Sequence, residues 1–218
     1  MIAIVDYGVG NLRSAAKGLE RAAADAGREV EVRVTGERSD LDRASAVVLP
    51  GVGAFGACMA SLEASGLVET VRAAAVSGRP FLGICVGMQI LFEESEEFGP
   101  VAGLGVLAGR VVRFRTPGLK IPHMGWNGLR IRRPGGTLDG IEEGAWVYFV
   151  HSYHAVPSDP AVVAATCEYG GEEFVAAVSR DALFATQFHP EKSQATGLRL
   201  LRNFVRAASG PVRVAVPA

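Results

Sequence analysis

Phe81-Leu82-Gly83-Ile84-Cys85-Val86-Gly87-Met88-Gln89 decides how this chain is read. An apolar strand, from about Pro80 to Ile84, runs into a cysteine with a glycine two residues to either side, and a helix follows. That is the sequence form of a nucleophile elbow, a sharp strand-to-helix turn that presents a reactive side chain. Glycines are required because neighbouring Cβ atoms would clash in such a turn. The first N–H groups of the helix and the positive end of its dipole point at the sulfur. Both favour the thiolate, which is the nucleophilic form. Cys85 is thereby a candidate nucleophile for attack on a carbonyl-like carbon.

The surroundings of the elbow read as α/β. Ile2 to Val5 is an apolar strand, ended by the turn-like Asp6-Tyr7-Gly8-Val9-Gly10-Asn11. The spacing of Leu12, Ala15, Ala16, Leu19 and Ala22 predicts a helix over about 12–26, ended by Gly27. Glu29 to Val34 alternates and predicts a strand. Ala46 to Leu49 predicts another, stopped by Pro50-Gly51-Val52-Gly53. Helical patterns cover about 57–63 and 67–77. Continuous apolar strands alternating with helices imply a central, mostly parallel sheet flanked by helices.

Beyond about Val101 the pattern changes. Strands are predicted over about 107–115, 128–132, 146–151, 161–168, 173–178 and 183–187, several separated by short Gly-bearing turns. The second half therefore adds antiparallel strands at one side, and a closing helix is expected over about 193–207. Residues 1–209 read as one domain, with 210–218 as a C-terminal tail outside the core.

Composition limits the function classes. At 218 residues the chain buries a substantial core without staples. A net charge of −1 points to neither nucleic acid nor an anionic membrane. Three widely spaced cysteines make neither a disulfide framework nor a structural zinc site, and suit a reducing cytosol. No signal segment and no run of about 18 apolar residues is present, so a cytoplasmic location is expected.

A nucleophilic cysteine needs a base. His189 lies in Thr186-Gln187-Phe188-His189-Pro190-Glu191, at the end of an apolar strand. In extended backbone, residues two apart share a side, so Glu191 can orient the imidazole, and Pro190 disfavours helix at His189. Cys85, His189 and Glu191 then make a nucleophile, base and orienter. The plainer alternatives are a buried cysteine acting as a small hydrophobe and a structural histidine. Cys58, on a helix, and Cys167, within a strand, are read in that plainer way. The acidic run Glu93-Glu94-Ser95-Glu96-Glu97 reads as a solvated helix end rather than a metal site. Gly8-Val9-Gly10 lacks the lysine and spacing of a phosphate loop and reads as a turn. Neither metal nor organic cofactor is assigned.

Gly83-Ile84-Cys85-Val86-Gly87-Met88-Gln89 together with Gln187-Phe188-His189-Pro190-Glu191 closely resembles class I, triad-type glutamine amidotransferases. The resemblance implies a flavodoxin-like α/β fold, with Cys85, His189 and Glu191 as the triad and Gln89 beside the bound glutamine. Further stretches resemble one branch of that family: Asp6 to Asn11, Pro50 to Phe55, Ile121-Pro122-His123-Met124-Gly125-Trp126-Asn127, Tyr148 to Tyr153, and His189 to Ser193. That branch supplies ammonia to a (β/α)8-barrel cyclase of histidine biosynthesis, which makes imidazole glycerol phosphate and aminoimidazole carboxamide ribotide.

The reaction so implied is glutamine hydrolysis through a γ-glutamyl thioester on Cys85, in a heterodimer that channels the ammonia. The Val86 N–H, next to the nucleophile, is one oxyanion donor by the elbow geometry. A second is expected from the Pro50-to-Gly53 loop, at Val52 or Gly53, where a peptide flip would switch the site. Gly51, Gly53, Ser152 and Tyr153 are expected at the glutamine. Asn11 and Lys17 near the first helix, Met124 and Trp126 in a Gly/Pro-bearing loop, and Tyr148 and Lys192 near the triad strands are interface candidates. His123 falls in the same loop, and His151 and His154 are expected as neighbours of the glutamine at most. Rival readings are a glutaminase subunit of pyridoxal phosphate synthase type, a stand-alone γ-glutamyl or cysteine hydrolase, and a non-catalytic binding module.

Overall fold

The apolar runs of the first half become the middle of one sheet. The computed structural model describes residues 1–115 and 118–210; of the tail expected from 210 onward, residues 211–218 lie outside the described residues. In chain order the elements are β1 (Ile2–Val5), α1 (Leu12–Asp25), β2 (Val32–Thr35), α2 (Arg38–Arg43), β3 (Ala46–Gly51), α3 (Phe55–Ala64), α4 (Val68–Val76), β4 (Phe81–Cys85) and α5 (Val86–Gln89). Then follow β5 (Phe92–Ser95), β6 (Val101–Ala102), β7 (Leu107–Arg113), β8 (His123–Gly128), β9 (Arg130–Ile131), β10 (Trp146–His151), β11 (Tyr153–Pro157), β12 (Val163–Tyr169), β13 (Glu172–Arg180), β14 (Leu183–Thr186) and α6 (Gln194–Ser209).

Eight strands form the central sheet in the order β2-β1-β3-β4-β14-β13-β12-β9. Pairing is parallel from β2 to β14 and antiparallel from there outward. The central strands β1, β3, β4 and β14 are buried along their whole length, as strands covered on both faces must be. This is the mixed α/β sheet expected from the alternation of strands and helices. The remaining strands do not all join it. β10 and β8 make a two-stranded ribbon, and β11, β7, β5 and β6 make a separate sheet.

Several local expectations need correction. Pro50 does not stop β3, which runs on through Gly51, because the Pro50↔Ile84 and Gly51↔Cys85 pairs extend the parallel ladder. The elbow helix is a single turn of four residues, so N–H groups of that turn, not a long dipole, face the sulfur. The acidic run is strand β5 and the turn after it, not a helix end. Its carboxylates accept backbone N–H groups: Glu93 from Gly109, Glu96 from Arg113 and Glu97 from Phe55. The supposed loop at His123–Asn127 is β8, held by six pairs to β10.

Candidate active site

Two neighbouring parallel strands, β4 and β14, deliver the candidate nucleophile Cys85 and the candidate base His189. Leu183 to Thr186 pair with Phe81 to Ile84, so Cys85 and His189 leave the same end of the sheet. Ligands of open α/β sheets collect at such carboxyl ends. Cys85 has φ +56° and ψ −113°, a costly conformation for a side chain with a Cβ, of the kind that gathers at functional sites. The glycines around it are set by space. A Cβ on Gly87 would lie 1.9 Å from the Leu49 carbonyl oxygen, and one on Gly51 would lie 2.5 Å from the Gly87 nitrogen.

His189 Nδ1 lies 2.9 Å from Glu191 Oε1, and both side chains are almost fully buried. The pair forms differently from the extended geometry expected. His189 is extended, but Pro190–Lys192 is a 3-10 turn that brings the carboxylate back to the ring. Burial alone would lower the His189 pKa. The Cys85 sulfur and the Glu191 carboxylate outweigh it and raise the pKa to about 9. Ser193 fastens this turn: its Oγ donates to the His189 carbonyl at 2.7 Å and accepts the Tyr148 N–H at 3.0 Å.

A cavity of about 370 Å³ opens over Cys85. Val52, Gly53, Val86, Gln89, Glu97, Pro122, Val150, His151, Ser152, Tyr153 and His189 line it with Cys85. The sequence-indicated Gly51 sits just beneath, buried and in register with Cys85. Gln89 donates through Nε2 to the Tyr153 carbonyl at 2.9 Å and to Gln187 Oε1 at 3.0 Å. The Val52 carbonyl accepts the Cys58 thiol at 3.3 Å. Because C=O and N–H point opposite ways in a planar trans peptide, this directs the Gly53 N–H away from Cys58. Glu97 on this wall escaped the sequence reading, although the acidic run that contains it was visible. A larger groove of about 610 Å³ lies across β11 and β13. Of the sequence-indicated residues it holds only His154, which was expected near the glutamine but lines this groove instead, its Nε2 3.0 Å from Glu172 Oε1. The groove's arginines are occupied, Arg132 by Glu173 and Arg133 by the Ala161 and Ser179 carbonyls.

The interface candidates fall into two groups. Pairing across the ribbon puts Met124 opposite Val150, Trp126 opposite Tyr148 and Gly128 opposite Trp146. Directly paired residues share a face, so Met124, Trp126, Tyr148 and Trp146 stand on one side. Met124 is 62% exposed, Trp126 40% and Trp146 61%. Trp146 was missed because a single aromatic in a strand carries no signal of its own; only the register joins it to Trp126. Lys192 Nζ lies 5.9 Å from the Tyr148 ring centre, extending the patch to the triad turn. Lys17 is exposed on α1, whereas Asn11 is half-buried beside Pro50, Val52, His189 and Glu191.

Known proteins resemble this chain over nearly its whole length. A family model described as glutamine amidotransferase class-I matches residues 4–208. The imidazole glycerol phosphate synthase subunit HisH of Syntrophotalea carbinolica is 54% identical over 212 residues, covering 94% of this chain and 98% of its own. HisH of Geobacter sulfurreducens is 53% identical over 209 residues, covering 93% and 97%. Among solved structures, a glutamine amidotransferase aligns with TM-score 0.71 at 21% identity, covering 95% of this chain and 99% of that one. Another, from Thermotoga maritima, aligns with TM-score 0.62 at 16% identity, covering 94% and 81%.

Proposed function

This chain belongs to the class-I glutamine amidotransferase family, and we propose from that premise that it is the glutaminase subunit of imidazole glycerol phosphate synthase. It hydrolyses glutamine to glutamate and ammonia for histidine biosynthesis. The relatives at 53–54% identity over nearly the whole chain support this. The observation that carries the chemistry is the strained Cys85 beside a buried His189–Glu191 pair at one cavity.

In this reading the Cys85 thiolate attacks the side-chain amide carbon of glutamine. The carbonyl oxygen becomes an oxyanion that takes the Val86 N–H and a second donor from the Val52–Gly53 segment. His189, protonated in the resting site, gives its proton to the departing ammonia, leaving a γ-glutamyl thioester. The neutral imidazole then takes a proton from water, which attacks the thioester and releases glutamate and the thiolate. Glu191 holds Nδ1 and stabilises the imidazolium. Gln89, with both Nε2 hydrogens engaged, offers its oxygen to the ligand. Ser152 and Tyr153 supply the facing wall, and the Glu97 carboxylate suits the substrate's α-ammonium.

Ammonia set free in water at neutral pH becomes ammonium and loses its nucleophilicity, so it must pass directly to its acceptor. The partner is the cyclase subunit, a (β/α)8 barrel in this reading. The Met124, Trp126, Tyr148 and Trp146 face, with Lys192 and Lys17, is the surface offered to it. Exposed Trp and Tyr suit the centre of such an interface. Asn11 lies at the inner edge of that surface, toward Glu191. The complex is assigned to the cytoplasm, which three free buried cysteines support. Among the described residues no helix is long and apolar enough to cross a membrane.

The test is glutamate release by wild type and Cys85→Ala, each with and without the cyclase subunit and its nucleotide ligand. Strong activity in the liganded wild-type complex, weak activity alone and none in the variant is the expected result. Activity that survives Cys85→Ala would remove the catalytic reading. Full activity without the cyclase would remove the coupling.

A further inference from the structure

The ribbon has an inner face as well as a docking face, and two histidines meet there. His123 Nδ1 lies 3.0 Å from His151 Nε2, and His151 Nδ1 lies 2.9 Å from the Tyr153 carbonyl oxygen. Both rings are buried, packed against Phe149 and Phe174. Burial pushes the His123 pKa down to about 4 and that of His151 down to about 3, so both are neutral at pH 7. A neutral imidazole carries one N–H and one bare nitrogen.

The contacts then allow a single arrangement. A carbonyl only accepts, so His151 carries its hydrogen on Nδ1. Its Nε2 is bare and must accept, so His123 also carries its hydrogen on Nδ1. Of the four tautomer combinations of two neutral rings, no other satisfies both contacts. The chain ends on the same oxygen that receives Gln89 Nε2. Gln89 continues to Gln187, whose Nε2 lies 3.9 Å from Cys85 Sγ. Ser152 is the point where the backbone leaves β10 for β11, passing from one sheet to another. At that crossing the Ser152 carbonyl accepts the Phe114 N–H at 3.2 Å, while the contacts at the Tyr153 carbonyl come from side chains, those of Gln89 and His151.

We propose that His123 and His151 are positioning residues for the glutamine-facing wall. Their N–H chain holds the Tyr153 carbonyl, and with it the Ser152–Tyr153 backbone, in place against Gln89 and the elbow. His123 does not line the cavity and acts through His151. The proposal rests on reading the cavity as the glutamine site, and it adds a role for two residues outside the triad.

Glutaminase kinetics of the complex with the cyclase subunit test it, using His123→Leu and His123→Asn. Leucine keeps apolar bulk and removes the donor; asparagine restores an N–H donor near the Nδ1 position. The KM for glutamine is expected to rise about tenfold in the leucine variant, as for a buried partner left unsatisfied, with kcat changed less than about threefold. The asparagine variant should return KM to within about threefold of wild type. An unchanged KM in His123→Leu, or equal losses in both variants, overturns the proposal. A wild type without Cys85-dependent glutaminase activity would instead overturn the reading beneath it. Long-range ¹H–¹⁵N spectra of the wild-type protein at pH 7 test the same chain without any variant. Both rings should be neutral with hydrogen on Nδ1, and an Nε2–H on His151 overturns the proposal.

Discussion

At the elbow, every residue from Phe81 to Gln89 is buried, and the chain has almost no freedom left. At the β8–β10 ribbon, buried and exposed positions alternate, so that one face stacks rings against the core and the other carries three large apolar side chains into solvent. The elbow's geometry is dictated by contacts a few ångströms long, between backbone atoms of β3, β4 and α5. The ribbon's is dictated by register, since a shift of one residue would exchange Trp126 for Gly125 or Asn127. The proposed chemistry, which needs one fixed atom, lies on the sheet's centre. The surface proposed for recognition, which needs breadth, lies on a ribbon outside the main sheet.

The two regions are nonetheless joined through backbone. The His189 N–H donates to the Tyr148 carbonyl at 3.0 Å, and Ser193 bridges the same two segments. Tyr148 thus presents its ring to the face proposed for docking and its peptide to His189. In the proposed reading, a partner that shifts the ribbon also shifts the support of His189.

The contrast can be broken most sharply at Gly87. Gly87→Ala places a methyl on the Leu49 carbonyl, so it should cost at least about 3 kcal/mol of stability. Urea unfolding checks this, and a loss below about 1 kcal/mol would mean that the elbow is less tightly determined than its contacts imply.

The next effect concerns charge. His189 titrates near 9 when folded, above the ordinary value of about 6.5. Its contribution to stability is therefore complete below about pH 6.5, falls as pH rises through 9, and is gone above that. The stability gap between wild type and His189→Asn should narrow by about 3 kcal/mol between pH 6 and pH 10. A gap that stays constant, measured by urea unfolding at the two pH values, would deny that the resting imidazole is charged.

On the ribbon the losses should appear in binding instead. Trp126→Ala should weaken association with the cyclase subunit by about 2 kcal/mol, read by titration calorimetry, while the thermal midpoint of the isolated chain moves by less than about 3 °C. A large fall in the midpoint with unaltered affinity would make Trp126 a core residue. The smallest effect is expected at Lys192, whose contact with the Tyr148 ring is partly solvated. Lys192→Ala should cost about 0.5–1 kcal/mol of partner affinity, and less at high salt if an ion pair across the interface adds to it. A loss as large as that of Trp126→Ala would mean a buried charge pair.

The sequence alone determined the α/β class, the elbow and the likeness to a triad glutaminase. These rest on short-range physics: apolar runs for strands covered on both faces, glycines where backbones nearly touch, and a cysteine at the turn between strand and helix. Tertiary structure decided the rest. His-Met-Gly-Trp-Asn-Gly has two glycines and an asparagine, which mark a loop by local preference, yet pairing with β10 makes it a strand, because β-propensity yields to cross-strand partners. The acidic run became strand β5 and a turn, because backbone N–H groups from distant segments claimed its carboxylates. His189 and Glu191 met through a 3-10 turn that Ser193 and the Tyr148 peptide hold in place, contacts that no spacing within the segment could announce. The neutral state of His123 and His151, and the single tautomer each must adopt, exist only once burial has removed water and a carbonyl from β11 has been set against them.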